Sequence, residues 1–153
     1  KEISIIPRGV AGGYTMYKTN EDKFYISKTE LEEKLVSLLG GRAAEEIALD
    51  DISTGASNDL EVATKTARDM IILYGMSKKI GPISLQVDDV RELEFYGRDI
   101  EDEVGKEIRE LMDLSYARAK QILNANRDKL DAVAERLMQK ETITEEEFNE
   151  FFN

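Results

Sequence analysis

Apolar positions recur at helical spacing over most of this chain and at strand spacing only near its N-terminal end. Leu31, Leu35, Leu38 and Leu39 share one helical face, and Ser27 stands three residues ahead of Glu30, a pairing that lets each satisfy the other's free amide at a helix start. The run Gly40-Gly41-Arg42-Ala43-Ala44 follows. Paired glycines commonly end a helix, but small residues also admit a close neighbour. Continuation to about Leu49, with at most a mild kink, is the reading adopted. A second stripe of Leu60, Ala63, Ala67, Met70, Ile71 and Tyr74 predicts a helix over 58–74, stopped by Gly75. Residues 76–99 read as irregular, with a turn at Gly81-Pro82 and an extended stretch near 83–87. A long helix is predicted over 101–124 with Val104, Ile108, Leu111, Met112, Ala119 and Ile122 inward. Another covers 127–139 on Leu130, Val133 and Leu137. A last helix starts at Thr144, which repeats the capping pattern with Glu147 and is anchored by Phe148, Phe151 and Phe152.

Strand spacing appears in Ile3, Ile5 and Ile6, ahead of Pro7, and again in Tyr14 to Tyr17, with Gly9, Gly12 and Gly13 between them. This predicts a two-stranded ribbon. A charged loop over 18–23 follows, and Phe24, Tyr25 and Ile26 are expected to dock it on the core. The fold class is therefore mainly α: a helical bundle or array with a small two-stranded β-ribbon near the N-terminus.

Composition narrows the function. With 153 residues the chain fits one domain able to bury a core. Its formal charge of −11 opposes non-specific contact with nucleic acid or with an anionic membrane surface. No run of about 18 apolar residues is present to span a bilayer. The chain has no cysteine and no histidine, which excludes disulfides, thiolate nucleophiles and Ser-His-Asp catalysis within it. It begins at Lys1 inside a predicted strand, and so reads as a piece of a longer or processed protein.

Two acidic positions are candidates for chemistry. At ~100° per residue, Asp59 falls in line with Ala63, Thr66 and Met70, on the margin of the apolar stripe and turned partly inward. An inward carboxylate must be paired, hydrogen-bonded or bound to a metal. On pattern alone the favoured reading is helix-start chemistry: the macrodipole favours an acid there, and Ser57 or Asn58 can cap. Glu45 and Glu46 read as a solvated helix edge. The glycines at 9–13 lack the Gly-Lys-Ser/Thr ending of a phosphate loop.

Several blocks, in order, resemble the peptidase domain of the FtsH family of membrane-bound, ATP-dependent zinc metalloproteases. They are Ile5-Ile6-Pro7-Arg8-Gly9, Gly13-Tyr14-Thr15, Leu39-Gly40-Gly41-Arg42-Ala43-Ala44-Glu45-Glu46, Ser53-Thr54-Gly55-Ala56-Ser57-Asn58-Asp59-Leu60, and Tyr74-Gly75-Met76-Ser77. The resemblance runs through nearly the whole chain, 1–153, and implies a mostly helical peptidase domain. It implies a zinc ion held by two histidines of an H-E-x-x-H helix and by a distant aspartate, which carries over to Asp59. Glu45 is the rival carboxylate, ranked below it. Such zinc activates water and the peptide carbonyl, with the motif's glutamate as general base. Gly12, Gly13, Tyr14 and Thr15 form the candidate edge for pairing an extended substrate; a ribbon that merely covers the core is the alternative.

No H-E-x-x-H segment occurs here. By resemblance it would precede Lys1, with the ATPase module and membrane helices earlier still, so the chain alone is expected to be inactive and to hold no zinc. The parent would degrade unfolded or membrane proteins, use ATP in a module outside this chain, and act as a homo-hexamer. Its place would be the cytoplasmic face of a bacterial inner membrane or, for an organelle relative, an organelle membrane. This chain itself would touch neither nucleic acid nor membrane. A non-catalytic assembly or adaptor module is the alternative. Without the zinc helix, an apolar surface around Gly40, Gly41, Ala43 and Ala44 is expected to lie uncovered.

Overall fold

The computed structural model describes residues 2–9, 12–16, 25–85 and 90–153. The chain forms two compact units, Tyr25–Leu123 and the pair Lys1–Phe24 with Asn124–Asn153.

The unit Tyr25–Leu123 is helical. Helix α1 (Lys28–Leu49) starts at the predicted box: the Ser27 amide donates to Glu30 Oε2 at 2.8 Å, and the Glu30 amide to Ser27 Oγ at 3.2 Å. It passes through Gly40-Gly41 unbroken and ends at Asp50, left-handed at φ 52°, whose amide donates to the Glu46 carbonyl at 3.1 Å. Helix α2 (Ser57–Ile72) lays Ala63, Ala67 and Met70 against Leu31, Leu35 and Leu39 of α1. The two alanines supply no bulk, so large leucines fill the space between the helices. A second cluster joins Ile71 and Ile72 to Ile80, Leu85, Leu93 and Val104. It includes the start of helix α3 (Arg98–Ala125).

The chain leaves α2 at Gly75, whose φ of 61° favours glycine and where a Cβ would lie 3.2 Å from the Ile83 carbonyl oxygen. Segment 76–85 is held rather than loose. The Leu85 amide donates to the Ile72 carbonyl at 2.8 Å, and Tyr96 Oη to the Leu85 carbonyl at 2.8 Å. Lys79 Nζ meets Glu103, Glu107 and Glu110 of α3 at 3.6, 3.5 and 3.1 Å. No strand forms over 83–85, and a 3-10 helix occupies Val90–Tyr96 where irregular chain was expected.

Several expectations about burial need correction. Tyr25 and Ile26, expected to dock on the core, are 90% and 57% exposed; the first buried side chain of α1 is Leu31. Phe24 and the loop 18–23 lie outside the described residues. Leu60, Tyr74 and Ile122 belong to apolar stripes yet are exposed. A stripe is covered only where a neighbouring helix overlaps it, and these three stand near helix ends. Around Gly40 the expectation holds in part. Gly40 lines an open groove of 790 Å³ with Val36, Ser37, Leu114, Ala119 and Ile122, whereas Ala43 is fully buried and belongs to the core.

The other unit carries a three-stranded antiparallel sheet in the order β2-β1-β3: β1 is Glu2–Ser4, β2 is Tyr14–Met16 and β3 is Thr142–Thr144. The expected ribbon is present, with Ile3 opposite Thr15. The third strand was not legible. Its three residues are too few for an alternation to register, but Ile143 between two threonines is fully buried. Gly13 makes the β1–β2 approach feasible, since a Cβ there would lie 2.7 Å from the Ser4 carbonyl oxygen. Buried Ser4 ties the strands together, accepting from the Ile6 amide at 3.2 Å and from Thr142 Oγ1 at 3.0 Å. Helix α4 (Arg127–Lys140) ends at Glu141, left-handed at φ 63°, and the chain turns directly into β3. Thr144 then caps the short helix α5 (Glu145–Asn149), as its pairing with Glu147 predicts. No residue of α4 is fully buried, so Leu130, Val133 and Leu137 are half covered. Phe148 and Phe152 pack at 5.2 Å between ring centroids, although Phe152 remains 52% exposed.

Leu35→Ala removes the centre of the α1–α2 contact and should cost about 2–5 kcal/mol in chemical denaturation, whereas Leu114→Ala, at an exposed position, should shift stability by no more than about 0.5 kcal/mol.

Candidate metal centre

Asp59 sits in the first turn of α2, and the approach to that turn is built residue by residue. After the cap of α1, the Ile52 amide donates to Asp51 Oδ1 at 2.8 Å. Ser53 is extended, and its Oγ accepts from the Gly55 amide at 3.0 Å, opening a single 3-10 turn over Thr54–Ala56. A serine hydroxyl two residues ahead of an amide is a recurrent way of starting such a turn. Ser57 Oγ donates to the Thr54 carbonyl at 2.5 Å, and the chain runs straight into α2. The cap position of α2 is Ala56, with no side-chain cap. Neither Ser57 nor Asn58 performs the capping that the sequence suggested, because the 3-10 turn, capped by Ser53, leads into the helix.

Asp59 is exposed, not turned inward. Ala63 and Met70, in line with it, are fully buried. Burial along this line begins one turn into the helix, at Ala63. Among the described residues Asp59 has no hydrogen-bond or ion-pair partner. Its carboxylate is therefore free to offer oxygen to a cation. A zinc ion needs more than one such donor. Among the described residues no group of three or more His, Cys, Asp or Glu side chains comes together to hold a metal. The residues present thus fit zinc only as the source of one oxygen ligand, in a chain that has no histidine.

The rival carboxylate is already occupied. Glu45 Oε2 accepts from the Ser53 amide at 2.9 Å and Glu45 Oε1 from Ser53 Oγ at 2.6 Å. These bonds, the hydroxyl's first and the amide's second, hold the Glu45 carboxyl below the ordinary glutamate range. Glu46 faces another way. It accepts from the Tyr116 hydroxyl of α3 and pairs with Lys120 Nζ at 3.6 Å, while Lys120 and Arg42 lie 4.8 and 5.9 Å from the Tyr116 ring centroid. The Tyr116 hydrogen bond lowers the Glu46 pKa most, and burial followed by Glu46 raises that of Tyr116. Reading both glutamates as a solvated edge missed these partners. Ser53 and Tyr116 stand 8 and 70 residues away, and no local pattern announces either pair.

Gly12, Gly13, Tyr14 and Thr15 lie in the other unit, at and before β2. Among the described residues β2 is an edge strand, paired on one side only with β1. Gly12, Gly13 and Thr15 are exposed; Tyr14 is half-buried, its hydroxyl donating to Glu2 and its ring 4.8 Å from the Arg8 guanidinium.

Comparison with known proteins shows the family. The profile of peptidase family M41 matches residues 1–151, and the chain belongs to that family. The ATP-dependent zinc metalloprotease FtsH of Caldicellulosiruptor bescii is 48% identical over 157 residues, covering 96% of this chain and 25% of that protein. FtsH 1 of a Thermoanaerobacter species is 44% identical, with 99% and 26% covered, and FtsH of Bacillus subtilis is 42% identical, with 95% and 24% covered. The chain spans about a quarter of the length of these curated relatives.

The depressed Glu46 carboxyl gives a pH signature. A folded-state pKa below the unfolded one contributes stability that is present above the unfolded value and lost as pH falls through the folded value. The melting temperature should therefore fall as pH drops below the usual 4.5. Glu46→Gln and Tyr116→Phe should each flatten that acid limb in a thermal series from pH 6 to about pH 3.

Proposed function

We propose that this chain is the greater part of the peptidase domain of an ATP-dependent zinc metalloendopeptidase, with Asp59 as the carboxylate ligand of its zinc. The match to peptidase family M41 over 1–151 carries the reading. The names of the relatives and the free carboxylate at the start of α2 support it. Asp59 would hold zinc together with two imidazoles from an H-E-x-x-H helix outside these 153 residues. When bound, the metal supplies Lewis-acid activation of water and of the scissile carbonyl.

This chain's own contribution is to set and hold the ligand. The Ser53–Ser57 turn presents Asp59 at a helix N-terminus, and the α1–α2 core keeps that helix from shifting. The free side of β2 supplies backbone donors and acceptors to an extended peptide, so that Gly12, Gly13, Tyr14 and Thr15 read as a substrate-pairing edge. Unfolded or membrane proteins as substrates, ATP hydrolysis in another module, a homo-hexamer and a site at the cytoplasmic face of a bacterial membrane complete the proposal at the level of the longer protein. They rest on the family resemblance. Within this chain, among the described residues, no helix is long and apolar enough to cross a membrane.

In a protein that joins these residues to an H-E-x-x-H helix, Asp59→Asn and Asp59→Ala should weaken zinc retention at least about tenfold and abolish peptide hydrolysis, as loss of one of three protein ligands does. Unchanged zinc content by atomic absorption in both variants would defeat the assignment. An unfolded peptide should slow hydrogen exchange of β2 amides, and Gly13→Ala should remove that protection by forcing β2 away from Ser4. A peptide that protects no amide in β2 counts against the edge.

A further inference from the structure

We infer that Glu45 is a positioning residue: its carboxylate latches Ser53, and through Ser53 it sets where α2 begins and where Asp59 stands. For its functional consequence this rests on the reading of Asp59 as a metal ligand.

The latch has three linked parts. Glu45 uses both oxygens on one residue, accepting the Ser53 amide at 2.9 Å and the Ser53 hydroxyl at 2.6 Å. Ser53 Oγ, having donated its proton to Glu45, turns its lone pairs to the Gly55 amide at 3.0 Å. Gly55 then enters the 3-10 turn that hands the chain to α2, with Asp59 four residues further on. A bare 3-10 turn with no buried residue has nothing apolar to hold it, so these polar bonds are its fixed point. The anchor behind them is firm. Glu45 is two residues past fully buried Ala43, on a stretch of α1 that Glu46 ties to α3 through Tyr116 and Lys120. The position of Ser53 is thus referred to two packed helices rather than to the loop that contains it.

Gly55 shows how closely the latch is fitted. A Cβ at that position would lie 3.2 Å from Ser53 Oγ and 3.4 Å from Glu45 Oε1. A side chain there would press on the hydroxyl and the carboxylate together. Sequence reading ranked Glu45 as a competing metal ligand, but a carboxylate with both oxygens engaged by Ser53 acts on the metal only through the turn it holds. A charged acceptor with two bonds is also the arrangement most sensitive to small changes. Glutamine retains one acceptor oxygen and loses the other; alanine loses both.

Amide exchange of the 153-residue chain, read by NMR at Ser53 and Gly55, tests the latch without any metal. Glu45→Ala should speed exchange of both amides by at least about tenfold, the fold-change for losing a charge-assisted bond, with α1 amides near Leu35 unchanged. Glu45→Gln should give a partial effect. Ser53→Ala should loosen Gly55, and Glu45→Ala combined with Ser53→Ala should be no worse at Gly55 than Ser53→Ala alone. Unchanged exchange at both amides in Glu45→Ala, or additive losses in the double variant, overturns the latch.

Zinc affinity in the protein carrying the H-E-x-x-H helix then tests the positioning. Glu45→Ala should lower it, Glu45→Gln should restore part of the loss, and the metal should remain bound through the other ligands. If the amides loosen while zinc affinity is unmoved and Asp59→Asn still lowers it, the positioning claim fails. If Asp59→Asn leaves zinc affinity intact, the zinc reading fails, and the latch stands or falls on the amide exchange.

Discussion

Two alanines set the geometry on which the helical unit depends. Ala63 and Ala67 put little side-chain bulk between α2 and α1, and Leu31, Leu35 and Leu39 pack into that space. Met70 completes the contact, being unbranched and able to fill what remains. Once this pair of helices is locked, the end of α1 and the start of α2 are fixed in space. The residues from Asp50 to Ala56 then have little freedom in how they connect them. A left-handed residue at Asp50, an extended Ser53 and one 3-10 turn accomplish the reversal. The position of Asp59 follows from that chain of constraints, not from its own contacts.

Around this core, polar groups are used as ties between helices. Glu45 and Glu46 are adjacent in sequence and serve different elements, one the turn before α2 and the other α3. Lys79 bridges the segment after α2 to three glutamates of α3. Each tie lies at a partly exposed edge, where an isolated ion pair is worth little. Their value lies in direction, because a hydrogen bond fixes orientation in a way that apolar burial does not. The sheet unit applies the same economy at smaller scale. Ser4 at its centre is buried and bonds to both its own strand's continuation and to Thr142.

Among the described residues, the carboxylate at the start of α2 and the open side of β2 are available to other groups. Asp59 has no hydrogen-bond or ion-pair partner among those residues, and β2, like β3, is paired with β1 alone.

The sequence by itself determined the helices, because their apolar periodicity and their caps at Ser27 and Thr144 are local properties that each segment carries alone. It also carried the blocks by which the chain resembles its family, and favoured a continuous α1 through Gly40-Gly41, as the structure has it. The tertiary structure decided everything that depends on overlap and on partners distant in sequence. It covers Ala63 but leaves Asp59 and Leu60 exposed, although all lie on or near one stripe. It gives β1 a second partner from residues 142–144, more than a hundred positions away, which three residues could not announce. It turns Glu45 from an anonymous acid on a helix into the holder of Ser53. Periodicity reports which face of a segment is apolar; only the packed neighbour settles how far that face is covered and which polar groups meet at its edge.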